Sequence, residues 1–354
     1  MTRAVVVGAG VFGAATAREL ARRGFDVTLV EQYLPGNVRS GSGGDTRLLR
    51  FAHGDADWYS RSARRALELW RELEAETGER LFEPVGVAWF DDGGSEFLAR
   101  SESALRRLGI AVERLGPDEA RRLYPSLAVA SVLFEPEAGV LHARRATAAL
   151  ARGVRLETAR AVPAAPPRAD VVVWACGSWL PRLFPGLVEQ KVTRRDVFFF
   201  GAGGEWAGSP GWCDYEGAFY GHGELGGLGV EVAPDVPGDD VDPDRLERLP
   251  RPENERLARA YAARRFPSLA DAPVVGARVC QYDLTADAHF LVARHPERPD
   301  WWLVGGGSGH GFKHGPALAE YVADCVEGRR EPESFHGLGP RQPAAGLRTA
   351  TVEA

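Results

Sequence analysis

The sequence predicts a mixed α/β and α+β protein, in which a Rossmann-like domain is joined to a discontinuous second domain built on a mixed or antiparallel sheet. Three observations carry this expectation. A glycine-rich turn, Gly8-Ala9-Gly10-Val11-Phe12-Gly13, separates a short apolar strand from an amphipathic helix. A continuous apolar run at 171–175 has the character of a buried parallel strand returning to the first sheet. Aromatic, strand-like stretches lie between these pieces, so the first domain is interrupted twice. At 354 residues the chain exceeds one ordinary core.

The elements follow in order. Residues 3–7 form a strand, 14–23 a helix ended by Gly24, and 25–30 a second strand closing on Glu31. Gly8 permits the tight turn, Gly10 lets a pyrophosphate approach the backbone, and Gly13 lets helix pack on strand. The helix N-terminus offers N–H groups and partial positive charge to phosphates. Glu31 is placed to accept hydrogen bonds from ribose hydroxyls, which disfavours a 2′-phosphate and hence NADP; FAD and NAD both remain open on these residues. A polar loop, RSGSGGDTRLLR, spans 39–50. Trp58, Ala63, Ala66, Leu67, Trp70 and Leu73 recur at helical spacing until Gly78. Residues 82–90 read as one strand, and 101–108 and 117–123 as short helices. Gly177-Ser178-Trp179 breaks the buried run at the sheet's edge, 192–200 is an aromatic strand, and 233–252 is rich in proline and aspartate and reads as loop. Residues 301–304 lead into GGSGHGFKHG at 306–315 and a last helix at 316–325. The tail beyond Gly337 is expected to be mobile.

Bulk properties narrow the partners. A net charge of −6 argues against nucleic acid and anionic membranes, and no run reaches the roughly 18 apolar residues of a membrane span. The N-terminus could pass for a signal peptide, but its glycine spacing favours a buried strand and helix, and a cytoplasmic protein is expected. Cys176, Cys213, Cys280 and Cys325 show neither zinc-site nor disulfide spacing. His289, His295, His310 and His314 show no metal spacing and read as loop or packing residues, so no metal is expected. Of 43 basic residues only Lys191 and Lys313 are lysine, and Lys313 stands in the glycine-rich run. Such glycines let backbone lie against a flat ring, and Pro316 suits the first turn of the helix that follows.

Four stretches together resemble the D-amino-acid-oxidase superfamily of FAD-dependent amine oxidoreductases, most closely the branch of monomeric sarcosine oxidase and N-methyl-amino-acid oxidases. They are VVVGAGVFGAATARELARRG with VEQ, SGSGGDTRLLRFAHGD, CQYDLTADAHFLVARHPE, and GGGSGHGFKHGPALAE. The resemblance spans about residues 3–335. It implies an FAD-binding domain of 1–80, 139–190 and 282–337, a substrate-binding domain of 81–138 and 191–281, and a mobile tail of 338–354. Gly8, Gly10, Gly13 and Glu31 would hold the ADP half of FAD, with Val11, Phe12, Gln32, Val162, Gly177 and Trp179 along the cofactor. Ser40, Thr46 and Arg47 would follow the pyrophosphate and flavin, and Gly307, Gly309, His310, Gly311 and Phe312 the ring. Cys280 matches the cysteine joined by a thioether to the flavin. Arg50 and Lys313 would grip a substrate carboxylate, and Tyr220 and Tyr282 fall among the pocket aromatics.

The chain also departs from that branch. In GGLGVEVAPD, 226–235, Glu231 stands where oxygen-reactive members carry a lysine, and Asp235 replaces a histidine. Ser42 and Gly43 replace two histidines before GDTR. A carboxylate at position 231 opposes electron transfer to oxygen, or else faces the substrate amine. The expected activity is oxidation of the C–N bond of a small, secondary or cyclic amino acid to an imine by hydride transfer to flavin N5, in a monomer. The alternatives are an NADPH- and FAD-dependent monooxygenase, or a flavin-binding protein with impaired catalysis.

Overall fold

In the computed structural model, which describes residues 1–342 and 347, the strand Arg3–Val7 lies inside a six-stranded sheet. Its valines suit this position because both faces are covered: Ala4 and Val6 point into one apolar core, Val5 and Val7 into another. The strand pairs in parallel with Val171–Trp174 on one side and Asp26–Glu31 on the other. Arg298–Gly305 and Arg155–Thr158 extend the parallel sheet, and Leu291–His295 closes one edge antiparallel.

Helix Val11–Arg22 packs on helix Gly315–Val326, with Asp57–Thr77 and Ala143–Ala151 beside them. Arg23 ties the first two together, its guanidinium 2.6 Å from both Asp324 and Glu327. The Gly turn therefore works against an element some 300 residues later in the chain. The long helix ends at Gly78 in the left-handed conformation (φ 69°), as its sequence predicts.

The second sheet has eight strands, in the order Val274–Leu284, Lys191–Phe200, Val230–Pro234, Phe219–His222, Gly211–Asp214, Val87–Asp91, Ser131–Glu135 and Glu113–Leu115. All pairings are antiparallel except Gly211–Asp214 with Val87–Asp91. One face buries Phe198, Phe200 and Trp212 against helix Pro252–Arg265 and Phe266. A small third sheet joins Thr46–Leu49, Gly139–His142 and Phe82–Glu83.

Several expectations are corrected. The single strand at 82–90 is two strands in different sheets. Gly86 breaks it at φ 77°, where a Cβ would lie 2.5 Å from Phe134 Cζ. The loop at 39–50 ends in a strand, and 233–252 runs from the end of Val230–Pro234 to the start of helix Pro252–Arg265. That helix escapes notice because its sequence, PENERLARAYAARR, buries only Ala258, Tyr261, Ala262 and Arg265. The helix expected at 101–108 spans Glu96–Arg107, with Ser95 Oγ accepting from the Leu98 N–H, and that at 117–123 is only Pro117–Ala120. The first helix starts at Val11, not at 14. Within the expected mobile tail, Arg341 donates to Asp287 Oδ1 at 2.8 Å and to the Gly337 carbonyl at 2.8 Å. Residues 343–346 and 348–354 lie outside the described residues.

Gly13 is the tightest point of the first turn: a Cβ there would stand 1.8 Å from the Gly8 carbonyl oxygen and 3.2 Å from Ala175 Cβ. Gly13→Ala is expected to lower stability by about 2–3 kcal/mol, because backbone rather than a flexible side chain must yield. Denaturant titration checks this, and an unchanged midpoint would contradict it.

Candidate active site

A cleft of about 1750 Å³, partly open to solvent, runs past the carboxyl ends of the parallel strands. Val7, Val30, Ala175 and Val304 line it from the first sheet; Tyr220, Asp235 and Tyr282 line it from the second. Most residues singled out by sequence are on its wall: Gly8, Gly10, Val11, Phe12, Glu31, Gln32, Ser40, Arg47, Arg50, Gly177, Trp179, Tyr220, Tyr282, Gly307, Gly309, His310, Gly311, Phe312 and Lys313.

At one end the three glycines have different reasons to be glycine. Gly8 has φ 100°, and a Cβ would meet the Ala175 carbonyl oxygen at 2.5 Å. Gly13 packs on Gly8. A Cβ on Gly10 would meet only Ser42 Oγ, at 3.4 Å, so the protein's own packing does not exclude one. What Gly10 keeps open is the cleft, as a pyrophosphate cradle requires. Gly307 behaves alike: a Cβ there would make only ordinary contacts, the nearest at 3.6 Å. Glu31 accepts from the Ala9 N–H at 2.8 Å and the Tyr33 N–H at 3.0 Å, which holds its buried carboxylate at the strand end. Ser42 Oγ accepts from the Val11 N–H at 2.9 Å and so caps the turn. The donor set and open glycine backbone fit a dinucleotide.

The other end holds the two basic side chains, Arg50 and Lys313. Arg50 lies over Trp89, its Cζ 4.8 Å from the ring centroid, and donates to the Ala52 carbonyl at 2.8 Å. Lys313 is 2% exposed, and its Nζ donates to the His310 carbonyl at 2.8 Å. Burial, then Arg50 nearby, pushes the Lys313 amine well below its ordinary pKa. Tyr282 Oη donates to Tyr220 Oη at 3.3 Å, and Arg195 stacks on Tyr282 while pairing with Asp235 at 3.4 Å. Burial, reinforced by Tyr282, raises the Tyr220 phenol far above its usual range.

Two supporting carboxylates are invisible to sequence reading. Glu135 is fully buried and accepts from Phe51 N at 2.5 Å, Ala52 N at 3.0 Å and Trp89 Nε1 at 2.6 Å. It therefore fixes both the backbone after Arg50 and the indole beneath it. Asp283 accepts from the Gly307 N–H at 3.2 Å and holds the glycine-rich loop; burial raises it to about 6. Neither glutamate in FEPEAGV nor the aspartate in CQYDLT carries a local signal for these roles.

Five expected residues are not on the wall: Gly13, Thr46, Val162, Glu231 and Cys280. Val162 instead pairs with Ala165 in a short bridge. Cys280 is buried, with Sγ 3.9 Å from Arg47 Nη2, beside the wall residue Gln281. Glu231 is held by two protein partners. Its Oε2 accepts from Thr46 Oγ1 at 2.7 Å and lies 3.2 Å from His222 Nε2. Burial works against both charges, yet each raises the ionisation of the other: His222 is shifted up and Glu231 down. The carboxylate is thus neutralised behind the wall by a histidine the sequence does not single out.

Residues 3–325 match the family model of the FAD dependent oxidoreductases. The chain is 30% identical over 360 residues to monomeric sarcosine oxidase of Bacillus sp. (strain B-0618), covering 91% of each. It is 26% identical over 369 residues to N-methyl-L-tryptophan oxidase of Yersinia pestis (strain Pestoides F), covering 93% of this chain and 95% of that one. Among solved structures, fructosyl peptide oxidase from E. terrenum superposes with a TM-score of 0.84 at 21% identity over 99% of this chain and 95% of that one. L-proline dehydrogenase from P. horikoshii gives 0.82 at 21% identity over 94% and 95%. At these identities the solved structures speak for the fold. The extent of the family match, and the two curated relatives that share it nearly end to end, establish that this chain belongs to the family of FAD-dependent oxidoreductases, in its sarcosine-oxidase branch.

Proposed function

We propose that the protein oxidises the C–N bond of a small secondary or cyclic amino acid to an imine. One observation carries the reading: two buried basic side chains, Arg50 and Lys313, line the same cleft as the dinucleotide cradle. Together they suit a single carboxylate, Arg50 as a planar fork and Lys313 as a point charge. Glu135 and Trp89 hold the fork in place before substrate arrives, so little orientation is left to achieve on binding. The Tyr220–Tyr282 pair closes the aromatic side of the pocket, and burial keeps the Tyr220 phenol protonated, so it offers a hydrogen bond without charge. Gly8, Gly10 and Glu31 would hold the ADP half of FAD, and Gly307, where a Cβ would make only ordinary contacts, leaves room for its ring. FAD, when bound, would supply the oxidising chemistry by taking up hydride from the carbon that bears the amine, the nitrogen giving up its proton to leave the imine. The imine product can then hydrolyse in water.

A second reading concerns the electron acceptor. Glu231, paired with His222, puts a carboxylate where, by the resemblance, oxygen-reactive members of this branch carry lysine. It favours a dehydrogenase that passes electrons to an acceptor other than oxygen. Recolouring after anaerobic reduction distinguishes the two: slow return in air with fast return on adding a dye acceptor supports the dehydrogenase.

The carboxylate clamp predicts a selective defect. In anaerobic bleaching with a panel of sarcosine, N-methyl amino acids, proline and pipecolate, Lys313→Met is expected to raise the half-saturating concentration about 10- to 100-fold, the cost of one charge-assisted hydrogen bond. Equal weakening of an amine substrate that lacks a carboxylate would refute the role. Covalent attachment, for which Cys280 is the proposed anchor, predicts that acid-precipitated protein keeps its yellow colour and that Cys280→Ser releases it to the supernatant. Colour lost from the wild-type pellet would rule the thioether out.

A further inference from the structure

We propose that His53, His310 and His314 form a binding site for one borderline divalent transition ion, such as Zn²⁺. The three rings are buried, and one nitrogen from each lies within 4.8 Å of the others. A point therefore exists no farther than about 2.8 Å from all three nitrogens, and a small contraction brings it to the roughly 2.0–2.1 Å of a metal–imidazole bond.

The outward nitrogens are held as those of metal-bound histidines are. His53 Nδ1 lies 2.8 Å from the Phe51 carbonyl and His310 Nε2 lies 2.8 Å from the Ala288 carbonyl. Carbonyls accept only, so both nitrogens carry the proton, and the electron pairs of His53 Nε2 and His310 Nδ1 are directed elsewhere. His314 Nδ1 lies 3.0 Å from Ser62 Oγ, the third outward anchor. Two of the remaining nitrogens, His53 Nε2 and His314 Nε2, are buried without a hydrogen-bond partner. Both rings are buried, at 1% and 0% exposure, so each orphaned nitrogen carries a desolvation cost that a bound ion would relieve.

The donor set names the class of ion. Among the described residues no carboxylate joins the three rings, so a hard ion such as Mg²⁺ or Ca²⁺ finds no oxygen ligands. Three neutral imidazoles suit Zn²⁺, Co²⁺, Ni²⁺ or Cu²⁺. His310 borders the cleft, which gives the ion a route in and leaves a position for a water ligand. Arg50 and Lys313 act on these rings through space and oppose a cation, which limits the affinity without removing the site. The ligands come from the segment after Arg50 and from the run that carries Lys313. An ion here would brace the two halves of the carboxylate clamp from behind.

The test is titration of tag-free, chelator-treated holoenzyme with Co²⁺, read by its visible bands at wavelengths beyond flavin absorption and by displacement with Zn²⁺. Bands saturating at one Co²⁺ per chain are expected. His53→Phe and His314→Phe, which keep an aromatic ring among aromatic neighbours, should each lower the affinity more than about 100-fold, and Ser62→Ala about tenfold. Absence of saturable bands in the wild type means a site filled by water or a shared proton only, and overturns the proposal. Affinity unchanged in both ring variants means an adventitious surface ion and does the same. If neither ring variant folds, Ser62→Ala, at a half-buried position, decides alone: unchanged affinity there is a refutation.

Discussion

The active site depends most on one buried carboxylate. Glu135 ends a strand of the eight-stranded sheet and takes three N–H donors, two from the loop that carries Arg50 and one from the indole that supports it. A hydrogen bond of this kind contributes about 0.5–1.5 kcal/mol net, and about 1–3 kcal/mol is the cost of leaving a buried partner unpaired. Burial raises the Glu135 pKa, while its three donors and Arg50 draw it back. Arg50 therefore favours the charged form of Glu135 without touching it, and a change at either residue is felt at the other.

The first turn and the cleft's far wall express a second constraint, close approach of backbone. Gly8 and Gly13 are glycine because the protein leaves no room, whereas at Gly10 and Gly307 the protein itself would admit a Cβ beside the cleft. The distinction separates positions where substitution unfolds the turn from positions where it would spare the fold and disturb only what binds.

What is legible in the sequence is what is encoded locally. The strand at 3–7, the left-handed stop at Gly78 and the last helix follow from spacing within a few residues, and the family motifs carry most of the cleft wall. What is not legible is pairing at a distance. Glu135 acts on residues 84 and 83 positions away, His222 on Thr46 176 positions away, and His53 meets two histidines beyond position 309. Periodicity cannot see such partners, nor can it find helix Pro252–Arg265, whose polar sequence buries a few small and amphipathic side chains. The strand at 82–90 fails for a related reason: its apolar pattern is right, but Gly86 turns it from one sheet into another.

Among its 43 basic residues the chain uses arginine almost everywhere and keeps only two lysines, one of them 2% exposed inside the cleft. This asymmetry makes the molecule unusually simple to handle chemically. An amine-directed reagent meets one lysine side chain at the surface, Lys191, which is paired with Asp240 at 3.9 Å on the first residue of a sheet strand. A dye, a support or an electrode linker attached there would be carried at a single defined lysine, while the lysine of the cleft stays shielded by the fold itself.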